Sequence, residues 1–275
     1  NNVPTNNKYT NSNTSSANSN STMKGNTYKS ENQETTITTN VDKSLLNSVP
    51  SSVGTDLNLE CGGAVLIEQN SGRVLYDHNM HQKLRPASVT KIMSILLIME
   101  AIDSGRLSYT DKIPCTETAA AMGGSQIWLD VREELTVDEM LKAICVVSAN
   151  DCTVAMAEYL AGSQEAFVEQ MNAKAKELGM NDTNFKNCHG IDEDGHETSA
   201  YDIALMSREL LTKHPNITKY TTIWMDSLRD GKSELVNTNK LIRNYKGATG
   251  LKTGSTSIAL YNLSASATRD NLSLI

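Results

Sequence analysis

Residues 85–105 read Arg85-Pro-Ala-Ser-Val-Thr-Lys-Ile-Met-Ser-Ile-Leu-Leu-Ile-Met-Glu-Ala-Ile-Asp-Ser-Gly105. Pro86 suits the entry or first turn of a helix, and Gly105 suits its far end. Between Ile92 and Ile102 nearly every residue is apolar. The run is too short to cross a bilayer, which takes about 20 residues. A helix apolar on all sides is instead buried under other elements. Ser88 and Lys91 stand three residues apart at its mouth, on one face and one turn apart. Packing gives no reason for a hydroxyl and an amine there. A nucleophile beside its base gives one.

Working outward, residues 1–50 are rich in Asn, Ser and Thr and carry no apolar periodicity. The expectation is a disordered tail or linker, with a wall- or partner-binding tail as the alternative. The folded part is expected over 51–275. Ala64–Gln69 and Arg73–His78 flank Asn70-Ser71-Gly72 and predict a β-hairpin. Residues 115–135, with Gly123-Gly124-Ser125, read as a loop. Thr136 and Glu139 form a T-x-x-E capping box opening a helix through Val147. Ser148-Ala149-Asn150-Asp151 interrupts it, and Asp151 is expected to cap a helix over Cys152–Leu160 ended by Gly162. Further helices are expected over Ser163–Leu178 and Ser199–Lys213, with a polar loop over 181–198 between them. Leu251–Thr256, Tyr261–Thr268 and Leu272–Ile275 read as strands. Strands, helices, then strands predict an α/β (α+β) sheet with a helical insertion.

The net charge of −7 and pI near 5.3 argue against a nucleic-acid partner. Five cysteines at irregular spacing, with no C-x-x-C, indicate neither a zinc ribbon nor a redox pair. They read as buried free thiols, with one disulfide as the alternative; Cys145 and Cys152, seven apart, could share a helix face. The sequence opens with neither Met nor a basic-then-apolar leader, so a signal peptide is expected to be absent or already removed. No stretch is long and apolar enough for a transmembrane helix.

Three motifs follow in order: Ser88-Val-Thr-Lys91, Ser148-Ala-Asn150 and Lys252-Thr253-Gly254. Each alone is weak; chance supplies about one S-x-x-K in a chain of this length. The set is far more specific, because S-x-x-K opens a buried helix, S-x-N lies between helices, and K-T-G lies on a later strand. With its S-D-N variant, this set marks penicillin-binding proteins and class A β-lactamases.

The agreement extends to Arg85–Lys91, Gly123–Ser125, Val147–Asp151, His189–His196, Thr198–Asp202 and Gly250–Gly254. Over about residues 60–275 the chain resembles the low-molecular-mass penicillin-binding proteins of the peptidase S11 type, serine D-alanyl-D-alanine carboxypeptidases. The resemblance implies a β-lactamase/transpeptidase-like fold, an antiparallel sheet flanked by helices with an inserted helical subdomain. It implies hydrolysis of the terminal D-Ala-D-Ala bond of peptidoglycan stem peptides outside the cytoplasmic membrane, with β-lactams as mimics. In that reading Ser88 is the acyl nucleophile, Lys91 its base, Ser148 a proton relay and Asn150 an orienting amide. Lys252 and Thr253 hold the substrate carboxylate, and Gly254 lets the substrate approach the strand. The N–H groups of Ser88 and Ser255 form the oxyanion hole. No cofactor is called for. Cys188, His189, Asp192, Asp194 and His196 fit no standard metal-ligand spacing, so no metal is expected. Trp128 and Trp224 are expected to pack rather than serve as substrate platforms.

Cys188 stands where relatives commonly carry proline. Relatives also continue past residues 261–275 with a final sheet strand and a long helix, and often an amphipathic membrane anchor. The expectation is that this chain stops within that strand, with the C-terminal part of the sheet truncated and any anchor outside it. A β-lactamase is the first alternative, but Glu169 and Glu193 sit in no E-x-x-L-N context. A transpeptidase on the same fold, and a non-catalytic wall-binding or β-lactam-sensing domain, are the others.

Overall fold

The computed structural model describes residues 57–275, so the reading of residues 1–50 lies outside the described residues. Strands β1 (Ala64–Ile67) and β2 (Val74–His78) form the expected antiparallel hairpin. Its turn is closed by the Glu68 carboxylate, which accepts from the N–H groups of Asn70 and Ser71 at 3.0 and 2.7 Å. A single 3-10 turn over Ala87–Thr90 then leads into α1 (Lys91–Asp103). Every residue from Lys91 to Met99 in α1 is buried, as an all-round apolar helix requires. Each buried Ile, Leu or Met there contributes about 1.5–3 kcal/mol. The helix stops at Gly105, whose φ of +74° lets the chain turn away.

Strands β3 (Lys112–Pro114) and β4 (Glu134–Thr136) pair antiparallel and bracket a loop that holds one short helix, α2 (Glu117–Ala120). Thr136 and Glu139 form the capping box, and α3 (Val137–Val147) runs over the expected residues. Ser148, at φ +65°, ends it, and α4 (Asn150–Ala161) begins two residues later. The expected Asp151 cap is not made: Ala149 holds the N-cap position. The left-handed turn at Ser148 brings the helix start forward, placing Asp151 inside the first turn. Its buried carboxylate instead accepts from the N–H groups of Ile127 and Leu129, both at 3.0 Å. The break also puts Cys145 and Cys152 on different helices, not on one face. Helix α5 (Gln164–Glu177) follows, capped by Ser163, and the polar loop then leads to α6 (Ala200–Lys213), capped by Ser199.

Beyond α6 come α7 (Thr218–Thr221), β5 (Met225–Leu228), β6 (Ser233–Val236) and α8 (Leu241–Asn244). The β5–β6 hairpin was not expected from the sequence. Finally β7 (Ala248–Thr256), β8 (Leu260–Arg269) and β9 (Leu272–Leu274) form an antiparallel meander. Ile67 and Ile275 exchange backbone hydrogen bonds at 2.9 and 3.0 Å, and Gln69 N–H donates to Ser273 O at 2.9 Å. These join β9 to β1, so the strand order across the sheet is β2-β1-β9-β8-β7. Leu272–Ile275 thus bridge the two hairpins. Past Ile275, β1 and β8 part around a cleft of about 300 Å³. Helix α1 lies against β7 and is covered by α4, α5 and α6.

Trp128 is 76% exposed, which corrects the packing expectation for that ring. Trp224 is half-buried, with the Arg243 guanidinium 5.5 Å from its ring centre. No described helix is long and apolar enough to cross a membrane.

Candidate active site

The 3-10 turn carries Ser88 and delivers Lys91 to the first position of α1. Lys91 Nζ lies 3.0 Å from Ser88 Oγ, 2.6 Å from Asn150 Oδ1 and 2.6 Å from the carbonyl oxygen of His189. The orientation of the Asn150 amide is fixed from its other side, where Nδ2 donates to Gly123 O at 2.7 Å. Two of the three Lys91 partners are therefore pure acceptors. Burial, and then the nearby Lys252 ammonium, hold the Lys91 pKa well below the usual lysine range. A neutral amine has two N–H groups and one lone pair. For the neutral amine, Asn150 and His189 would take both N–H groups, leaving the lone pair to the Ser88 hydroxyl. In that state the 3.0 Å contact runs from the Ser88 hydroxyl to Lys91, the arrangement a general base needs.

Ser148 lines the cleft at the end of α3. Lys252 is buried on β7, donates to Thr253 O at 2.8 Å, and has its pKa brought down by burial to about 8. Two ammonium groups this close oppose each other, and the Lys252 charge adds to burial in lowering the Lys91 pKa. The Thr253 hydroxyl lies 2.6 Å from that of Thr238. A methyl group on Gly254 would fall 2.7 Å from Ser88 N and 2.9 Å from both Pro86 O and Val89 N, so only glycine lets β7 press against the nucleophile turn. The open cleft encloses about 510 Å³, lined by Ser88, Ser125, Ser148, Thr238, Thr253 and Ser255 among others.

The structure therefore lines one cleft with Ser88, Ser148, Thr253, Gly254 and Ser255, with Lys91 and Asn150 hydrogen-bonded behind Ser88 and Lys252 buried beside Thr253. Sequence reasoning assigned no role to four further contributors. The carbonyls of Gly123 and His189 hold Asn150 and Lys91, Ser125 O accepts from Asn150 N–H at 2.7 Å, and Thr238 meets Thr253. The glycines at 123–124 and 190 were the available signal for close backbone approach; nothing local marks Thr238.

Residues 48–275 match the family model described as D-alanyl-D-alanine carboxypeptidase, peptidase S11. The chain belongs to this S11 family. It is 53% identical over 223 residues to "D-alanyl-D-alanine carboxypeptidase DacF" of Bacillus subtilis, covering 80% of this chain and 57% of that one. It thus spans a little over half the length of that relative. Among solved structures, penicillin-binding protein 5 from Haemophilus influenzae superposes with a TM-score of 0.76 at 33% identity, covering 80% of this chain and 65% of that one. Penicillin-binding protein D2 from Listeria monocytogenes, in its ampicillin-bound form, gives 0.72 at 28% identity, covering 80% and 89%.

In this S11 chain all five cysteines are free, and all but Cys61 are buried. Cys188 lies near Lys91 and Cys145 near Lys252, yet burial pushes both thiols up to about 12. They are neutral at pH 7 and inert as nucleophiles.

Proposed function

We propose that residues 51–275 form the catalytic domain of a serine D-Ala-D-Ala carboxypeptidase acting on peptidoglycan stem peptides outside the cytoplasmic membrane. The observation that carries this is the buried Lys91 amine 3.0 Å from Ser88 Oγ, with Asn150 Oδ1 and His189 O each at 2.6 Å and its pKa held well below the usual lysine range by burial. Ser88 attacks the carbonyl carbon of the penultimate D-alanine, and its proton passes to Lys91. The oxyanion is received by the N–H groups of Ser88, on the 3-10 turn, and Ser255, on β7, which press together at Gly254. The C–N bond breaks, and Ser148 relays a proton to the departing nitrogen. Asn150 keeps Lys91 in register and has a second amide hydrogen for the substrate carbonyl. Lys252 and Thr253 hold the terminal carboxylate by charge and hydroxyl. The peptide lies along β7 as an added strand. Water then cleaves the acyl-serine ester and restores Ser88. A β-lactam enters as a mimic of D-Ala-D-Ala and remains as a slowly hydrolysed ester.

The β-lactamase alternative needs an efficient deacylating base. Glu169 is exposed on α5, the Glu193 carboxylate accepts from Asn187 Nδ2 at 3.1 Å, and neither lines the cleft. Incubation with penicillin, followed by intact mass, is expected to add one β-lactam to the wild type and none to Ser88→Ala. A pentapeptide substrate is expected to release D-alanine. A folded wild type without adduct, or an adduct on Ser88→Ala, defeats the proposal. Transfer of the acyl group to an added amine in preference to water makes the enzyme a transpeptidase.

A further inference from the structure

Ala87 is a non-glycine residue at φ +48°, immediately before the nucleophile. Its carbonyl and the Ser88 N–H belong to one planar peptide unit. Whatever fixes the Ala87 carbonyl therefore fixes where the Ser88 N–H points. That N–H is one of the two proposed oxyanion donors.

Two features grip this carbonyl. The Thr90 hydroxyl donates to Ala87 O at 2.8 Å. Gly190 packs so closely that a methyl group there would fall 1.9 Å from Ala87 O and 2.9 Å from Ser88 N. Thr90 has one hydroxyl proton, and Ala87 takes it. Its second contact, 2.8 Å to His196 Nε2, must then be one in which Thr90 accepts. The other end of the imidazole agrees: Lys186 N–H donates to His196 Nδ1 at 2.9 Å, so the ring proton sits on Nε2. Both side chains are buried, and Phe185 packs tilted against the ring with centroids 5.9 Å apart. A one-way relay results, from Lys186 N–H through His196 and Thr90 to the Ala87 carbonyl. Each proton position follows from its neighbour. Neither Thr90 nor His196 is among the residues lining that cleft.

We propose that His196 is a positioning residue for the acylation step: through Thr90 it holds the Ala87–Ser88 peptide so that the Ser88 N–H faces the developing oxyanion. The inference rests on the function proposed above. It assigns the polar His189–His196 loop a task beyond supporting the fold. It also explains a buried histidine that neither meets substrate nor transfers a proton.

The test compares Thr90→Val, Thr90→Ser and His196→Phe with the wild type. Losing an oxyanion donor outright costs roughly 10²–10³ in rate, and a misdirected one is expected to cost roughly 10-fold or more. Penicillin acylation of Thr90→Val and His196→Phe is expected to slow by that factor, with the affinity of the preceding non-covalent complex unchanged. The ester carbonyl stretch of their acyl-enzymes, read by infrared difference spectroscopy, is expected to move to higher frequency, because the carbonyl loses hydrogen bonding. Thr90→Ser, which keeps the hydroxyl, is expected to behave as wild type in both measurements. Wild-type acylation and carbonyl frequency in Thr90→Val overturn the proposal, and so does a Thr90→Ser as slow as Thr90→Val. Wild-type behaviour of a folded His196→Phe removes His196 from the relay. If His196→Phe does not fold, the Thr90 pair still decides whether the hydroxyl aims the peptide. A wild type that forms no adduct refutes the function itself, a separate outcome.

Discussion

Replacing Gly254 with alanine is expected to slow acylation of Ser88 by about 100-fold in a chain that still folds. Gly254 lies on β7 and outside the left-handed region, so alanine meets no backbone penalty of its own there. The effect is purely one of space. The added methyl would sit 2.7 Å from Ser88 N, where ordinary contact begins near 3.4 Å, so strand and turn must separate by about 0.7 Å. Its close neighbours, Ser88 N, Pro86 O and Val89 N, are all backbone atoms, so no flexible side chain can yield instead. Overpacking of this kind costs about 1–3 kcal/mol in stability. For a domain of this size that lowers Tm by roughly 2–12 °C. The larger consequence is geometric. Lys252, Thr253 and Ser255 travel with β7, whereas Ser88 and Lys91 stay with α1. A substrate pinned to β7 is drawn back from the nucleophile, and a displacement approaching 1 Å can cost about 10² in rate. Time-resolved labelling by a fluorescent penicillin, alongside thermal denaturation, measures both quantities. A lowered Tm with an undiminished acylation rate would refute the reasoning, because strand and turn would then be free to part without harm.

Two pH dependences accompany it. Lys252 titrates near 8, so kcat/KM for a D-Ala-D-Ala peptide is expected to fall above about pH 8 as the carboxylate loses its ammonium partner. A peptide whose terminal carboxylate is amidated should lack that alkaline limb, and a plateau through pH 10 for the acid would sink the assignment. Burial brings His189 down to about 3 and His196 to about 4. The unfolded chain takes up these protons near pH 6.5, while the folded chain does not. The two histidines therefore contribute their full stability above about pH 6.5 and lose it progressively as pH falls toward 4 and 3. The full loss is on the order of 5 kcal/mol for His189 and about 3 kcal/mol for His196. Tm measured between pH 7 and 5.5, above the range where ordinary carboxylates titrate, is expected to drop; a flat profile would contradict the buried neutral rings.

Much of this was legible because the decisive signals were local or ordered. Helix α1 announces itself by being apolar on every side, and its burial from Lys91 to Met99 follows directly. Thr136 and Glu139 mark the start of α3 to the residue. The three motifs were legible as a set although each was weak alone. What escaped depended on partners distant in sequence. Asp151 looks like a cap beside Cys152, but the backbone of Ile127 and Leu129 claims its carboxylate. Thr238 has a role only because Thr253 lies across from it. The β5–β6 hairpin carries Asp230-Gly231 at its turn, a hairpin signal that was present. Its strands, Met225-Asp-Ser-Leu228 and Ser233-Glu-Leu-Val236, are short and largely exposed, so they lack the apolar alternation that would have framed that turn. Trp128 is displayed to solvent because a backbone turn at φ +56° carries it outward, and composition does not foresee that.

The joining of β9 to β1 has a consequence for how the chain is made. Ile67 and Ile275, about two hundred residues apart, must meet before the sheet is whole. Synthesis therefore delivers the helices long before the strands that cover α1 on the sheet side. Contacts so distant in sequence carry a large loop-closure cost and belong to slow-folding topologies. Throughout that delay one of the most apolar helices in the chain lacks its roof, and an unroofed apolar helix is what holding chaperones bind and aggregates recruit. The same strand arrangement that sets β7 against the Ser88 turn thus leaves the sheet-side cover of α1 to segments synthesised long after it.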